Sequence, residues 1–286
     1  MIKMLIVALC VFSATQVFAA AIVVKGVQMP AWIERDGRQA PLKVGSILTK
    51  KDQLRTGMNA RILLSMEDGS DVKLGENGTL RLDNLSADKN LFSAALSVLK
   101  GAFRFSTNLT MKQSRRDVKV LIGTATIGIR GTDVWGKATE EKDIVCLLEG
   151  NISVNRGNDP VVLMQDPLTF YIAPKGEPAQ PLAAVSTEQI GVWAKETDIQ
   201  AGEGAARAGG KWKVYLYSTT SQNEVIQAYD TLGNAGYAGD ISPVTLNGET
   251  NYRLRIANLP SKKEAGALAK RLEGQPGVGK IWISTK

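Results

Sequence analysis

The sequence predicts a multi-domain chain. An all-β unit over residues 22–185, solenoid- or sandwich-like, precedes an α+β unit over residues 211–286 built as β-α-β-β-α-β with a four-stranded antiparallel sheet. Three observations predict this. Residues 211–286 repeat themselves at an offset of 40. Residues 22–175 carry short β-branched or alternating runs about ten residues apart, punctuated by Gly, Asn and Asp turns. Between them, residues 199–210 lack aromatics, which predicts a flexible linker.

The chain opens with Lys3, an apolar run from Met4 to Phe12, then polar Ser13, Thr15 and Gln16 before Val17-Phe18-Ala19. A basic start, a short apolar core and a small residue before the cut, with Val17 and Ala19 at −3 and −1, predict a secretory signal peptide over residues 1–19, cut after Ala19, and so a periplasmic protein. The rival reading is an uncleaved anchor, because no charge falls between Met4 and Val24. Contact with a membrane is expected only in that case. Leu9 before Cys10 argues against a lipid-attachment site.

Of the two cysteines only Cys146 lies beyond that cut, so no internal disulfide is expected in the mature chain. Cys146 sits in Ile144-Val145-Cys146-Leu147-Leu148 and reads as a small buried hydrophobe. The formal charge of +7 is spread along the chain, densest in the tail, and residues 186–210 are net acidic. Such a mild excess suits an anionic polymer better than nucleic acid, which asks for a concentrated basic stripe.

The β runs include Ala60–Met66, Asp71–Leu74, Thr79–Asp83, Gly101–Phe105, Val118–Ile122, Asp143–Leu148, Asn151–Val154 and Val161–Met164. Leu91–Leu99 fits helix or strand. A short helix is expected over residues 186–198, capped by Ser186, with Ile190, Trp193 and Thr197 on one face turned to the β unit.

In the tail, Trp212–Ser218 lies over Tyr252–Asn258, and Ser221-x-x-Glu224 lies over Ser261-x-x-Glu264. The alternating heptapeptides predict strands, the serine–glutamate pairs predict capping boxes in which hydroxyl and carboxylate both satisfy free amides at the helix start, and the following apolar residues fall on one helical stripe. Further strands are expected around Ile241 and over Lys280–Ile283. If Val214, Leu216, Leu254, Ile256, Ile281 and Ile283 face the helices, alternation turns Lys213, Tyr215, Tyr217, Arg253, Arg255 and Trp282 to the other face. Rings and cations on one uncovered sheet face suit sugars or bases.

Residues 211–286 resemble the SPOR domain in the W-x-V-x-L-x-S opening, the Y-R-L-R-I third strand, the S-x-x-E-A helix start and the final I-W-I strand. The resemblance implies a ferredoxin-like sheet that binds peptidoglycan glycan strands stripped of peptide. Its matching positions are Tyr215, Ser218, Arg253, Arg255 and Trp282. Tyr215 stands where many members have Gln, and Tyr217 where they have Gly. The β unit resembles the FecR domain in Val44–Leu48, Asp52–Gly57, Asp68-Gly69-Ser70, Gly123-Thr124, Arg130-Gly131-Thr132 and Glu149-Gly150. That implies a periplasmic β domain whose relatives relay an iron-siderophore signal to a sigma factor. Almost nothing precedes Lys3 to contact such a factor, so location and fold carry over and signalling stays the alternative.

The chain has no histidine, and it carries neither a P-loop nor a dinucleotide motif between strand and helix. Neither an enzyme nor a cofactor or metal is expected. The expected partners are glycan strands and, through the β unit, another envelope protein. Single-stranded RNA would suit the same sheet, but export argues against it.

Overall fold

The computed structural model describes residues 22–87, 91–107 and 115–285. The expected signal peptide lies outside them, and the Arg130 side chain is likewise not described.

Strands dominate up to residue 184, and together with Ala206–Arg207 the described ones make a sheet of sixteen, running from Ala183–Ala184 at one end to Ala206–Arg207 at the other. Its longest members are Leu91–Ser106, Ala125–Ala138 and Lys142–Asn155. Leu91–Leu99, ambiguous by periodicity, is strand, because it is hydrogen-bonded on both sides by Thr79–Ala87 and Arg115–Ile122. Among the described residues, the pairing of Leu91–Ser106 with Arg115–Ile122 is parallel and the other strand pairings are antiparallel. With no run of stacked parallel rungs, the unit is β-rich rather than clearly a solenoid.

Residues that looked like family signatures are turn and buried-charge devices. The Asp52 carboxylate is buried and takes both Arg35 Nε (2.7 Å) and Nη2 (2.6 Å), with the Thr49 amide at 2.7 Å. Asp68 accepts from the Ser70 amide and hydroxyl across Gly69, whose φ is +81°. Asp143, fully buried, accepts from the Thr124 amide and hydroxyl, both at 2.8 Å, and from Lys175. Paired and hydrogen-bonded, these carboxylates can be buried without an uncompensated charge.

The helix Thr187–Thr197 is capped by Ser186, whose hydroxyl accepts from the Gln189 amide. Its Trp193 stacks on Trp135 at 4.3 Å between ring centroids, and Phe170 meets it edge-on. Lys137–Glu196 and Lys73–Asp198 ion pairs tie its C-terminal end to the sheet.

The following segment is not the free linker its composition suggests. Ala206–Arg207 forms an antiparallel pair with Gly26 and Val27, and Ala205 and Ala206 are buried. The Glu264 carboxylate, from the tail's second helix, accepts from the amides of Gly202 (2.5 Å), Gly204 (2.7 Å) and Ala205 (3.2 Å). Gly202 and Gly204 have φ of +87° and +71°, the left-handed conformation that turns successive amides to one acceptor. Composition foretold glycine's freedom but not the carboxylate that uses it.

The tail consists of strand Trp212–Thr219, helix Gln222–Asn234, strands Asp240–Leu246 and Glu249–Leu259, helix Lys262–Leu272 and strand Trp282–Ser284. The sheet order is second, third, first, fourth, all antiparallel. Both helices cover one face. Val225, Ala228 and Leu232 of the first helix and Ala265, Leu268 and Leu272 of the second are buried with Val214, Leu216, Leu254 and Ile256. The β unit meets the tail through these helices. Ala31 donates to the Gly236 carbonyl (3.0 Å), Trp32 Nε1 to the Asn234 carbonyl (3.2 Å), and Arg271 Nη1 to the Met29 carbonyl (3.0 Å).

Candidate functional site

The tail sheet's second face carries the candidate residues, and strand register decides which of them reach it. Val214 pairs with Ile256 and Ile283, fixing that parity on the helix side. Tyr215 pairs with Arg255 on one side and Trp282 on the other, and Lys213 pairs with Ser284. Lys213, Tyr215, Arg255 and Trp282 therefore share the face away from the helices.

A β-bulge then breaks the alternation. Tyr215 sits opposite Arg255, but Tyr217 sits opposite Leu254 and Ser218 opposite Arg253. Two residues on the first strand match one on the third, so parity inverts after Tyr215. This corrects the expected place of Tyr217. It shares the helix side with Leu254, packs partly buried against the core, and its hydroxyl lies 3.5 Å from the Glu224 carboxylate. Ser218 takes its place on the open face and donates to the Asn251 side-chain carbonyl. The serine was reached from resemblance alone, since a bulge leaves no mark in periodicity.

Tyr215 needs a second correction. It is 5% exposed and is therefore not a bare platform. Its ring stacks on Trp282 at 4.7 Å and 4°, and the Arg253 and Arg255 guanidinium carbons each lie 6.0 Å from its centroid. Trp282 stays partly exposed, with Arg253 5.7 Å from its centroid. Tyr215 supports Trp282 from beside it. The tryptophan is the ring left for a ligand to touch.

The two arginines differ. Arg255 donates from Nε to Asp240 at 2.7 Å, and Asp240 lies directly opposite it on the second strand. Burial by itself would lower the Arg255 pKa. Hydrogen bonds to Asp240 and Tyr215 outweigh that and raise it above the ordinary arginine value. Arg253 faces Ser242 and Ser218 across the sheet, and its buried Nε has no hydrogen-bond partner among the described residues. Asp240 and Asn251, which hold Arg255 and Ser218, escaped sequence reasoning because only the pairing register brings them there.

The Arg130-Gly131-Thr132 group of the β unit offers no comparable face. Gly131 has φ of +64° and Thr132 is buried, at an irregularity inside strand Ala125–Ala138 where its register against Lys142–Asn155 shifts. Among the described residues no group of three or more His, Cys, Asp or Glu is placed to hold a metal ion, and no helix is long and apolar enough to cross a membrane.

Comparison with known proteins divides the chain as its geometry does. The family model described as FecR protein matches residues 52–153, and the SPOR domain model matches residues 208–279. The chain thus carries a FecR domain and a C-terminal SPOR domain. No curated protein matches it. Two crystal structures of a candidate anti-sigma factor from Parabacteroides distasonis ATCC 8503, at 2.50 Å and 1.65 Å resolution, are similar to it. Each has 14% sequence identity and a TM-score of 0.41. They cover 78% and 84% of this chain, and 91% and 100% of their own.

Proposed function

We propose that this is a non-enzymatic peptidoglycan-binding protein of the periplasm, holding glycan strands on the open face of its tail sheet. The observation that carries the reading is the composition of that face. A partly exposed tryptophan backed by a tyrosine stands beside a guanidinium and a hydrogen-bonded serine, all turned away from the helices. Sugar rings present apolar faces to aromatics and hydroxyls to donors, which such a surface meets with stacking and hydrogen bonds together. The SPOR match over the same residues supports it. Trp282 is the stacking platform, Arg253 the principal donor, and Ser218 and Lys213 flank them. Tyr215 and Arg255 hold the platform in place, and Tyr217 supports the sheet from behind.

The FecR domain supports a second role for the β unit, binding another envelope component or regulating in response to the wall. The rival form of that role, a sensor held by an uncleaved N-terminal anchor, is separated by sequencing the N-terminus of protein recovered from cells. A start at Ala20 favours the free periplasmic form. A septal location follows if stripped glycan concentrates where cells divide, and imaging a fluorescent fusion would check it.

The direct test is co-sedimentation with purified sacculi. Trp282→Ala is expected to weaken binding about tenfold, the scale of one lost ring contact of about 1.5 kcal/mol, with the domain still folded. Equal binding by variant and parent would mean that the assigned face is wrong.

A further inference from the structure

We infer that a groove at the joint between the two units takes an extended acidic segment of a partner protein, with one apolar side chain seated between two carboxylates. The inference rests on the partner role proposed for the β unit and not on the glycan reading.

The groove lies over one face of the hairpin formed by Ala31–Arg35 and Arg38–Pro41. Ile33 pairs with Ala40 and Arg35 with Arg38, so these four side chains share that face. Lys43, Ser46 and Ile47 from the following loop, and Tyr229 from the tail's first helix, continue the lining. The cavity measures about 820 Å³. Its floor is apolar, made by Ile33 and Ala40, and Ile47 beside them is 61% exposed. A lone exposed isoleucine needs no explanation, but one lining a concave apolar floor offers a seat for an anchoring side chain.

Charge sets the chemistry of the partner. Arg35, Arg38 and Lys43 line the groove, against one carboxylate, Asp36. Arg35 is already answered by the buried Asp52 at 2.6 Å. The Arg38 and Lys43 side chains have no ion pair or hydrogen bond among the described residues, and Lys43 rests 5.9 Å from the Tyr229 ring centroid. Two unanswered cations thus remain, and acids on a partner complement them. Spacing then separates a peptide from a small anion. Arg38 opens its strand and Lys43 lies just past its end, which puts their backbones on the order of 13 Å apart. One small anion would meet both only if both long side chains folded inward. An extended peptide meets both with acids four residues apart, since four strand rises span about the same 13 Å. The residue midway between those acids has the same parity and falls on Ile33 and Ala40. A segment reading acid, any, apolar, any, acid therefore matches the groove as cation, floor, cation. Because Tyr229 belongs to the tail and the remaining lining to the β unit, a bound segment touches both units at once.

The experiment uses the full chain and three end-blocked peptides of equal length. The first carries two glutamates four residues apart with leucine midway and serine elsewhere. The second has glutamine for each glutamate, and the third has serine for the leucine. Calorimetry is expected to show the first binding roughly tenfold more tightly than either of the others, the scale of one charge-assisted or one anchoring contact. Arg38→Glu combined with Lys43→Glu should abolish the preference for glutamate over glutamine. Both side chains are exposed, so the unfolding midpoint of that variant should stay where it is. Equal affinities, or binding of none of the three, overturn the inference. Photo-crosslinking in cells separates it from the partner role beneath it. The crosslinker replaces Ile47 or, in a second strain, Leu163, which is 64% exposed on another strand of the same unit. Adducts from Ile47 that map to a segment of the stated spacing support the groove. Adducts from Leu163 alone keep the partner role and remove the groove, and adducts from neither position remove both.

Discussion

At Gly123 a single hydrogen atom separates backbone from buried charge. Its φ is +55°, and a Cβ there would come within 2.0 Å of the Asp143 carboxylate. That carboxylate also holds Thr124 and Lys175, so it cannot retreat without breaking a buried ion pair. Gly123→Ala is expected to destabilise the β unit by about 2–4 kcal/mol, read from the midpoint of denaturant unfolding. A change below about 0.5 kcal/mol, the scatter of neutral substitutions, would show that the site yields. Cys146 gives a pH-dependent counterpart. Burial pushes its thiol up to about 12, with the charge of Asp133 adding to the effect. A thiol raised in the folded state favours folding fully below the unfolded cysteine pKa, about 8.5, and this contribution is lost as pH climbs from there towards the folded value. Iodoacetamide at pH 8 should therefore leave the folded chain unmodified at Cys146 and alkylate it once denaturant is added. Prompt alkylation of the folded protein would contradict the burial.

The tail's two helices look equivalent as elements and are used differently. Ser221 and Ser261 each accept from the amide three residues on, at 3.4 Å and 3.2 Å, so Ser→Ala at either should cost about 1 kcal/mol of unfolding free energy. The paired glutamates diverge. Glu224 turns to the Thr219 hydroxyl at 2.7 Å, within its own unit, whereas Glu264 leaves the helix to gather linker amides. Glu264→Gln should consequently destabilise the chain more than Glu224→Gln, and a thermal melt of the two variants side by side checks the order. The heptapeptides gave strands, the serines gave helix starts, and Val225, Ala228 and Leu232 gave the buried stripe, but the carboxylate half of each capping box did not form, because Glu224 and Glu264 found acceptor roles away from their own helix starts. What depended on register was not legible. The bulge after Tyr215 moves Tyr217 off the face and brings Ser218 onto it, and it arises from a pairing with residues some forty positions away. Tyr215 is hidden for the same reason, because its cover comes from Trp282 and Arg253 on two other strands.

For the whole molecule, the consequence lies in the segment that joins its two units. Glycine and alanine there predict freedom, and composition alone cannot show that a distant carboxylate will take up the amides they expose. Glu264 accepts three of them, Arg271 reaches both the Glu203 and Met29 carbonyls, and Ala206–Arg207 extends the large sheet's edge. Charge-assisted bonds of this kind contribute about 1.5–3 kcal/mol each when formed to a charged group, enough together to hold the tail against the β unit. The open face of the tail sheet then has a set orientation relative to the FecR domain, joined to it by a stiff contact rather than a tether. Arg207 reports on this directly, because trypsin cuts after arginine only where the backbone can leave its strand pairing. The parent chain should resist cleavage at Arg207, while Glu264→Ala combined with Arg271→Ala should be cut there into two fragments, each still folded. Rapid cleavage of the parent at that bond would restore the tether, and with it a tail that searches the wall independently of the domain it follows.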